Sequence, residues 1–250
     1  MGGLKNYVLS IAGFDPSGGA GVLADVKTFE SHSVTGMSVV TALTFQNDAE
    51  FEAVKWMKQE EILQQYDVLN RRFKFSVIKI GLIENLEVLG AIVTHLRASA
   101  PHCLIVWDPI LKASAGFTFH ENMDRFRLFQ ILKSITLVTP NTDEAKLLTG
   151  KENEMQAAEE LVKYCAVLLK GGHSAEQLGT DYLFVQDKME RLTPFGLEVS
   201  PKHGSGCVLS SAIAAQLAKG ENMLNACLQA KKYTEQFLSS NSTLIGTHYA

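Results

Sequence analysis

Between Lys202 and Leu217 the sequence reads KHGSGCVLSSAIAAQL. Gly204 and Gly206 bracket Ser205, Cys207 follows at once, and a run of small and apolar residues comes next, the pattern of a tight loop opening into a helix. A helix start presents unpaired N–H groups and the positive end of the backbone dipole. Gly204, Ser205, Gly206 and Cys207 are therefore expected to cradle the negative charge that builds up when a phosphoryl group moves. In the same field a thiol is expected to ionise nearer neutrality, which would suit Cys207 to take a proton from a substrate hydroxyl. The competing account makes Ser205 a cap, Gly206 a packing glycine and Cys207 an inert buried thiol.

Other residues that could do chemistry stand at the ends of short apolar runs. The first run ends in Gly13-Phe14-Asp15-Pro16-Ser17-Gly18-Gly19-Ala20-Gly21, where backbone can approach a ligand closely and Asp15 could bind a polar group on it. The stretch matches neither the phosphate-binding P-loop nor the dinucleotide fingerprint, and a glycine-rich turn with Asp15 or Ser17 as a cap would look the same. Gln46, closing a later run, carries donor and acceptor on one amide, as recognition of an aminopyrimidine requires. Local pairing with backbone is its alternative. Gly81 closes another run, and Asp108 ends one in a carboxylate that could otherwise cap the next turn. Asn141 and Glu144, three apart at a helix start, place an amide and a carboxylate on one face, a set that suits Mg²⁺ held mostly through substrate phosphates. A capping box around Thr142 competes with that reading. Lys170, followed by Gly171, Gly172 and His173, is a candidate contact for nucleotide phosphate. His32, His95, His102, His120 and His248 form no evident ligand set and read as surface or loop residues.

These ends need a scaffold. Strand-like runs at 7–12, 38–45, 76–80, 103–107, 135–138 and 166–169 alternate with helical stretches at 18–34, 59–73, 86–98, 124–133, 141–148 and 154–164. Such alternation predicts an α/β fold with a mostly parallel sheet covered by helices on both faces. Runs at 178–185 and 189–193 predict a small antiparallel hairpin at one edge, and 206–218 and 222–239 two closing helices. With no linker, repeat or low-complexity tract, residues 1–250 read as one domain.

Composition narrows the partners. The chain has 250 residues, 46% of them hydrophobic and 20% charged, with a net charge of −4 and scattered Lys and Arg. That leaves no basic footprint for nucleic acid or for an anionic membrane, and points to a small-molecule partner. Cys103, Cys165, Cys207 and Cys227 lie far apart without zinc-site spacing and read as reduced thiols of a cytoplasmic protein. The opening MGGLKNYVLSIAG is too short in apolar residues for a signal peptide, and no later stretch reaches the roughly 18 of a membrane span.

Taken together, IAGFDPSGGAG, VVTALTFQN, KIG, WDP, TPNTDEA, LLKGGH and HGSGCVLSSAIAAQLA follow the order and spacing of a known family. Over nearly its whole length the chain resembles the bacterial hydroxymethylpyrimidine and hydroxymethylpyrimidine-phosphate kinases of thiamine biosynthesis, within the ribokinase-like superfamily. The resemblance implies a ribokinase-like fold, usually dimeric, with ATP as co-substrate and Mg²⁺ as cofactor. It implies that Gly204, Ser205, Gly206 and Cys207 form the anion hole, with the cysteine as base. It also implies that Gln46 meets the pyrimidine ring, with Asp15, Gly13 and Gly81 on the substrate side. Lys170, Gly172 and Asp108 would lie near the ATP phosphates, and Asn141 and Glu144 near Mg²⁺. The chain departs from the family pattern at Phe14, at Val208, and at Lys112, Ser114 and Ala115 of the substrate-covering segment, which bears on the choice of acceptor and on the second phosphorylation. A pyridoxal kinase of the same superfamily and a non-catalytic pyrimidine sensor are the alternatives. Gln46 speaks against the first and the intact GSGC loop against the second.

Overall fold

A computed structural model of the protein describes residues 6–111, 124–171 and 179–249. The chain runs β1 (Tyr7–Phe14), α1 (Gly21–Ser31), β2 (Thr35–Gln46), β3 (Phe51–Trp56), α2 (Gln59–Asn70), β4 (Phe75–Ile80) and α3 (Leu86–Ser99). It continues β5 (Leu104–Trp107), α4 (Arg125–Leu132), β6 (Leu137–Val138), α5 (Thr142–Thr149), α6 (Glu154–Leu161) and β7 (Ala166–Leu169). The hairpin β8 (Asp181–Val185) and β9 (Lys188–Leu192) and the helices α7 (Ser205–Ala218) and α8 (Met223–Leu238) complete it.

The strands form one sheet in the order β3-β2-β1-β4-β5-β6-β7-β8-β9, parallel from β2 to β7. Successive side chains of a strand point to opposite faces, so the continuous apolar runs feed two cores at once. Leu9, Ile78, Ile105, Val138 and Val167 join the core under α2 to α6. Their neighbours Val8, Val77, Val106, Leu137 and Leu168 join the core under α1, α7 and α8. The alternation therefore explains why the central strands are mostly apolar on both faces.

Three expectations are corrected. The sheet has an antiparallel strand at each edge, because β3 pairs antiparallel with β2 as β8 and β9 do at the other side. The residues of β3 are exposed or half-buried, so Phe51-Glu52-Ala53-Val54-Lys55-Trp56 carries little apolar signature. The first helix starts at Gly21 and not at 18, because Gly18 has a positive φ of 71° and closes a tight turn back onto the Asp15 carbonyl. Nor are all the histidines peripheral. His32 is buried edge-on against Tyr233, whose hydroxyl hydrogen-bonds His248 Nδ1 at 2.9 Å, while His120 lies outside the described residues. No helix among the described residues is long and apolar enough to cross a membrane.

From β1 the chain first builds outward through β2 and β3, then returns to the other side of β1 and builds outward through β4 to β7. The carboxyl ends of β1 and β4 thus flank the switch point where ligands enter open α/β sheets.

Candidate active site

Five parallel strands deliver their last residues to one rim. Gly13 closes β1 and packs against Leu82, where an added Cβ would lie 3.0 Å from Leu82 Cδ2. Gly81 follows β4, Asp108 follows β5, Asn141 follows β6 and Lys170 follows β7, with a parallel bridge joining Asn141 to Lys170. Over them stands the first turn of α7. A Cβ on Gly206 would sit 3.4 Å from Lys170 Nζ and 3.8 Å from Asp108 Oδ2, so the glycine lets the helix start close over the ion pair.

The pair itself is tight. Lys170 Nζ donates to Asp108 Oδ1 at 2.8 Å and lies 3.7 Å from Glu144 Oε2. Thr139 donates to the same Asp108 oxygen, and Ser210 of α7 donates to the other at 3.2 Å. Burial works to raise the Asp108 carboxyl, but Lys170 and Lys79 outweigh it and hold it below the usual carboxylate range. Burial pushes Glu144 up to about 7, against the pull of Lys170. The ammonium of Lys170 is neutralised by Asp108 and flanked by Glu144, so the positive character of this floor comes from the helix N-terminus above it, and the lysine supplies a donor that a phosphate oxygen could share.

The start of α7 is left open. Its N-cap is Gly204, with φ of 73° and no side-chain cap, so the first amides face the rim unspent by a capping side chain. The left-handed turn is forced by packing, since a Cβ on Gly204 would fall 2.1 Å from the Gly19 carbonyl oxygen. Gly204→Ala should therefore destabilise by at least about 1–3 kcal/mol from the backbone conformation alone. The melting temperature should drop and turnover with it; a variant that melts and works like wild type would mean the turn is not needed.

Three expectations change here. Cys207 is 5% exposed, and burial pushes its thiol up to about 11, with Lys79 the main influence in the other direction. Burial, helped by Asp25 and Asp108, outweighs Lys79, so the thiol is shifted away from neutrality. Asp15, expected to meet substrate, also shapes the protein around it. Its Oδ1 accepts from the Ser17 amide and hydroxyl, and its Oδ2 from the Ala20 amide and from His203. Asn141 and Glu144, expected at a metal, first cap α5: Asn141 Oδ1 accepts from the Glu144 amide at 2.8 Å, and Glu144 Oε2 accepts from the Asn141 amide at 2.7 Å. The capping box is centred on Asn141, not Thr142. It leaves Glu144 Oε1 for a cation, and among the described residues no cluster of three or more His, Cys, Asp or Glu could hold a metal unaided.

Gln46, half-buried, ends β2 opposite Phe51, and Thr44 two residues earlier donates to the Phe14 carbonyl, which ties this strand end to the β1 loop. Ser205 is the first residue of α7 and half-buried. Gly172 and residues 112, 114 and 115 lie outside the described residues.

Sequence reading missed one feature altogether. Lys79 of β4 and Asp25 of α1 are both fully buried and form a 2.9 Å ion pair, to which Ser211 of α7 and Ser10 of β1 donate. A lysine inside the apolar run Val77-Ile78-Lys79-Ile80 was the available signal.

The model of the phosphomethylpyrimidine kinase family matches residues 15–250. The chain belongs to the phosphomethylpyrimidine kinase family. It is 38% identical over 245 residues to a hydroxymethylpyrimidine/phosphomethylpyrimidine kinase of Rhizobium meliloti (strain 1021), covering 94% of this chain and 91% of that one. Among solved structures it is similar to a phosphomethylpyrimidine kinase from Clostridium difficile 630, at TM-score 0.78 and 30% identity over 92% of this chain and 98% of that one. The Bacillus subtilis pyridoxal kinase in an ADP complex superposes at TM-score 0.85, with 24% identity and coverage of 98% and 97%, a likeness of fold. Family membership makes the rim of strand ends under α7 the place to seek a kinase's chemistry.

Proposed function

We propose that the chain transfers the γ-phosphoryl group of ATP to the hydroxymethyl group of 4-amino-5-hydroxymethyl-2-methylpyrimidine, and then a second one to the resulting monophosphate. The observation that carries this is the uncapped first turn of α7 set directly over the Lys170–Asp108 pair. Transfer of a phosphoryl group needs positioning and charge stabilisation more than covalent chemistry. The amides of Ser205, Gly206 and Cys207 would bind the equatorial oxygens of the group in flight, and Lys170 would bind the phosphates from below. Gly13 and Gly81 lie at the switch point, where their missing side chains let Leu82, Ala12 and Lys79 pack close behind the strand ends, and Gln46 at the neighbouring strand end would read the amino group and ring nitrogen of the substrate.

Glu144, whose Oε1 bonds no other described residue, and the nearby Asp108 fit a hydrated Mg²⁺ that keeps much of its water and completes its shell with phosphate oxygens. Bound there, the ion would neutralise phosphate charge. The same reading has the chain working in the cytoplasm, in keeping with its four free thiols, and as a homodimer, in keeping with the exposed Leu43 and Phe45 beside the β3 edge.

A coupled ADP-release assay with the hydroxymethylpyrimidine, its monophosphate and pyridoxal tests the proposal. Turnover with both pyrimidines and little with pyridoxal is expected. Turnover with pyridoxal alone would replace the acceptor assignment, and tight pyrimidine binding without ADP release would make the chain a sensor.

A further inference from the structure

His203 directly precedes Gly204, the N-cap of α7, and its ring reaches into the β1–α1 turn. Nε2 lies 2.8 Å from Asp15 Oδ2, with side-chain exposures of 8% and 2%. Burial works to raise the Asp15 carboxyl, but hydrogen bonds from His203, Ser17 and Ala20 outweigh it and hold it below the usual range. An ionised carboxylate only accepts, which places the imidazole proton on Nε2.

Three segments meet at this ring. Asp15 gathers the amides of Ser17 and Ala20, and Ala20 is the N-cap of α1. The His203 backbone N–H donates to the Leu244 carbonyl at 2.8 Å, bringing in the C-terminal segment. A Cβ on Gly19 would lie 2.6 Å from His203 Cδ2 and 2.8 Å from Ile245 Cδ1, so Gly19 and Ile245 pack close beside the ring. One carboxylate thus shapes the turn beside Gly13, on the acceptor side, and holds the residue that leads into the phosphoryl cradle.

We propose that His203 is a positioning residue for phosphoryl transfer. Through Asp15 it fixes the amides at the start of α7 relative to the 13–21 turn, so that acceptor and phosphoryl group meet at the right separation. This rests on the functional reading above. Misplacement of reacting groups by about 1 Å costs on the order of 100-fold in rate, which sets the scale of the effect.

The test uses the full chain with His203→Leu, which removes the donor, and His203→Gln, whose amide N–H reaches nearly the same point. Gly19→Ala is the third variant, pushing a methyl against the His203 ring while leaving both His203 and Asp15 unsubstituted. His203→Leu should lower kcat for the pyrimidine about 10- to 100-fold while the KM for ATP stays within about twofold, a split that general loosening of the fold would not give. Less than one pyrimidine phosphate should form per ATP consumed. His203→Gln should recover most of the rate, and Gly19→Ala should behave as His203→Leu does.

Wild-type kcat in His203→Leu, or a His203→Gln variant as impaired as the leucine one, would overturn the proposal. A rise in the KM for ATP matching the loss would also do so, since it would place His203 in nucleotide binding. If His203→Leu fails to fold, Gly19→Ala decides: unchanged kcat there overturns the idea. If wild type phosphorylates none of the acceptors, the functional reading falls and hydrogen exchange judges the latch. Faster exchange at the 15–21 and 204–208 amides of His203→Gln or Gly19→Ala supports it, and unchanged exchange sinks it.

Discussion

Cys207→Ala should lower kcat/KM for the pyrimidine about 100-fold near pH 8 and abolish its rise with pH, the lower end of what general-base catalysis contributes. The substitution keeps the backbone amide in the cradle and removes only the sulfur. A base must be unprotonated to act, and burial holds this thiol at about 11 against Lys79, so in the free protein the thiolate is a small fraction at neutral pH. kcat/KM reports the ionisation of the free enzyme. If the thiolate takes the hydroxyl proton, wild-type kcat/KM must climb about tenfold per pH unit on the way to that value and level off beyond it. The sign runs one way only, because deprotonation creates the active form. Asp25 and Asp108 raise the thiol further and Lys79 lowers it, so the position of the limb should move with those neighbours. A loose transition state makes modest demands on a base, which is why the effect is expected at the low end of the range. A flat profile in wild type, with Cys207→Ala within about twofold of it, would reduce the sulfur to a packing atom while leaving the amide cradle in place.

Most of the rim was legible in the sequence because each of its residues ends an apolar run. Gly81, Asp108, Asn141 and Lys170 could be placed at strand ends from the hydrophobic pattern alone, and strand ends on one rim of a parallel sheet converge by topology. The loop-to-helix reading of Gly204 to Cys207 held for the same reason, since positive φ at Gly204 needs glycine. What the pattern could not supply was the direction of side chains. Asp15 and Asn141 both stand at the rim, yet Asp15 turns its oxygens into its own loop and to His203, and Asn141 turns its oxygen to the Glu144 amide. Contacts between residues 188 positions apart in sequence leave no periodic trace. The ionisation of Cys207 was misjudged because a helix start lowers a thiol only when the sulfur is solvated enough for the dipole to outweigh burial. The β3 strand was missed because an edge strand with few buried residues lacks the apolar run that identifies the central ones.

The largest loss of stability is expected from Asp25→Ala. Lys79 Nζ is completely buried and bonds both Asp25 oxygens at 2.9 Å, and the carboxylate also accepts from Ser211 at 2.7 Å and from Ser10. Burial works to lower the lysine, yet Asp25 outweighs it and keeps the ammonium charged. Removing the carboxylate strands that charge and two hydroxyl donors in the core, at a cost of about 3–5 kcal/mol by urea unfolding. Lys79→Met should cost less, because Asp25 keeps both hydroxyl donors and is not left without hydrogen bonds. The double variant Asp25→Ala/Lys79→Met should cost less than the sum of the two, because no stranded charge remains; additive losses would show that the ions do not interact across the pair. Ser211 lies one helical turn after Cys207, so the same pair anchors the first turns of α7 to β1 and β4 from beneath. Variants that remain folded should therefore also lose turnover, through a cradle whose floor has moved, and the alkaline limb of kcat/KM should shift upward in Lys79→Met as the cation facing the thiol is removed.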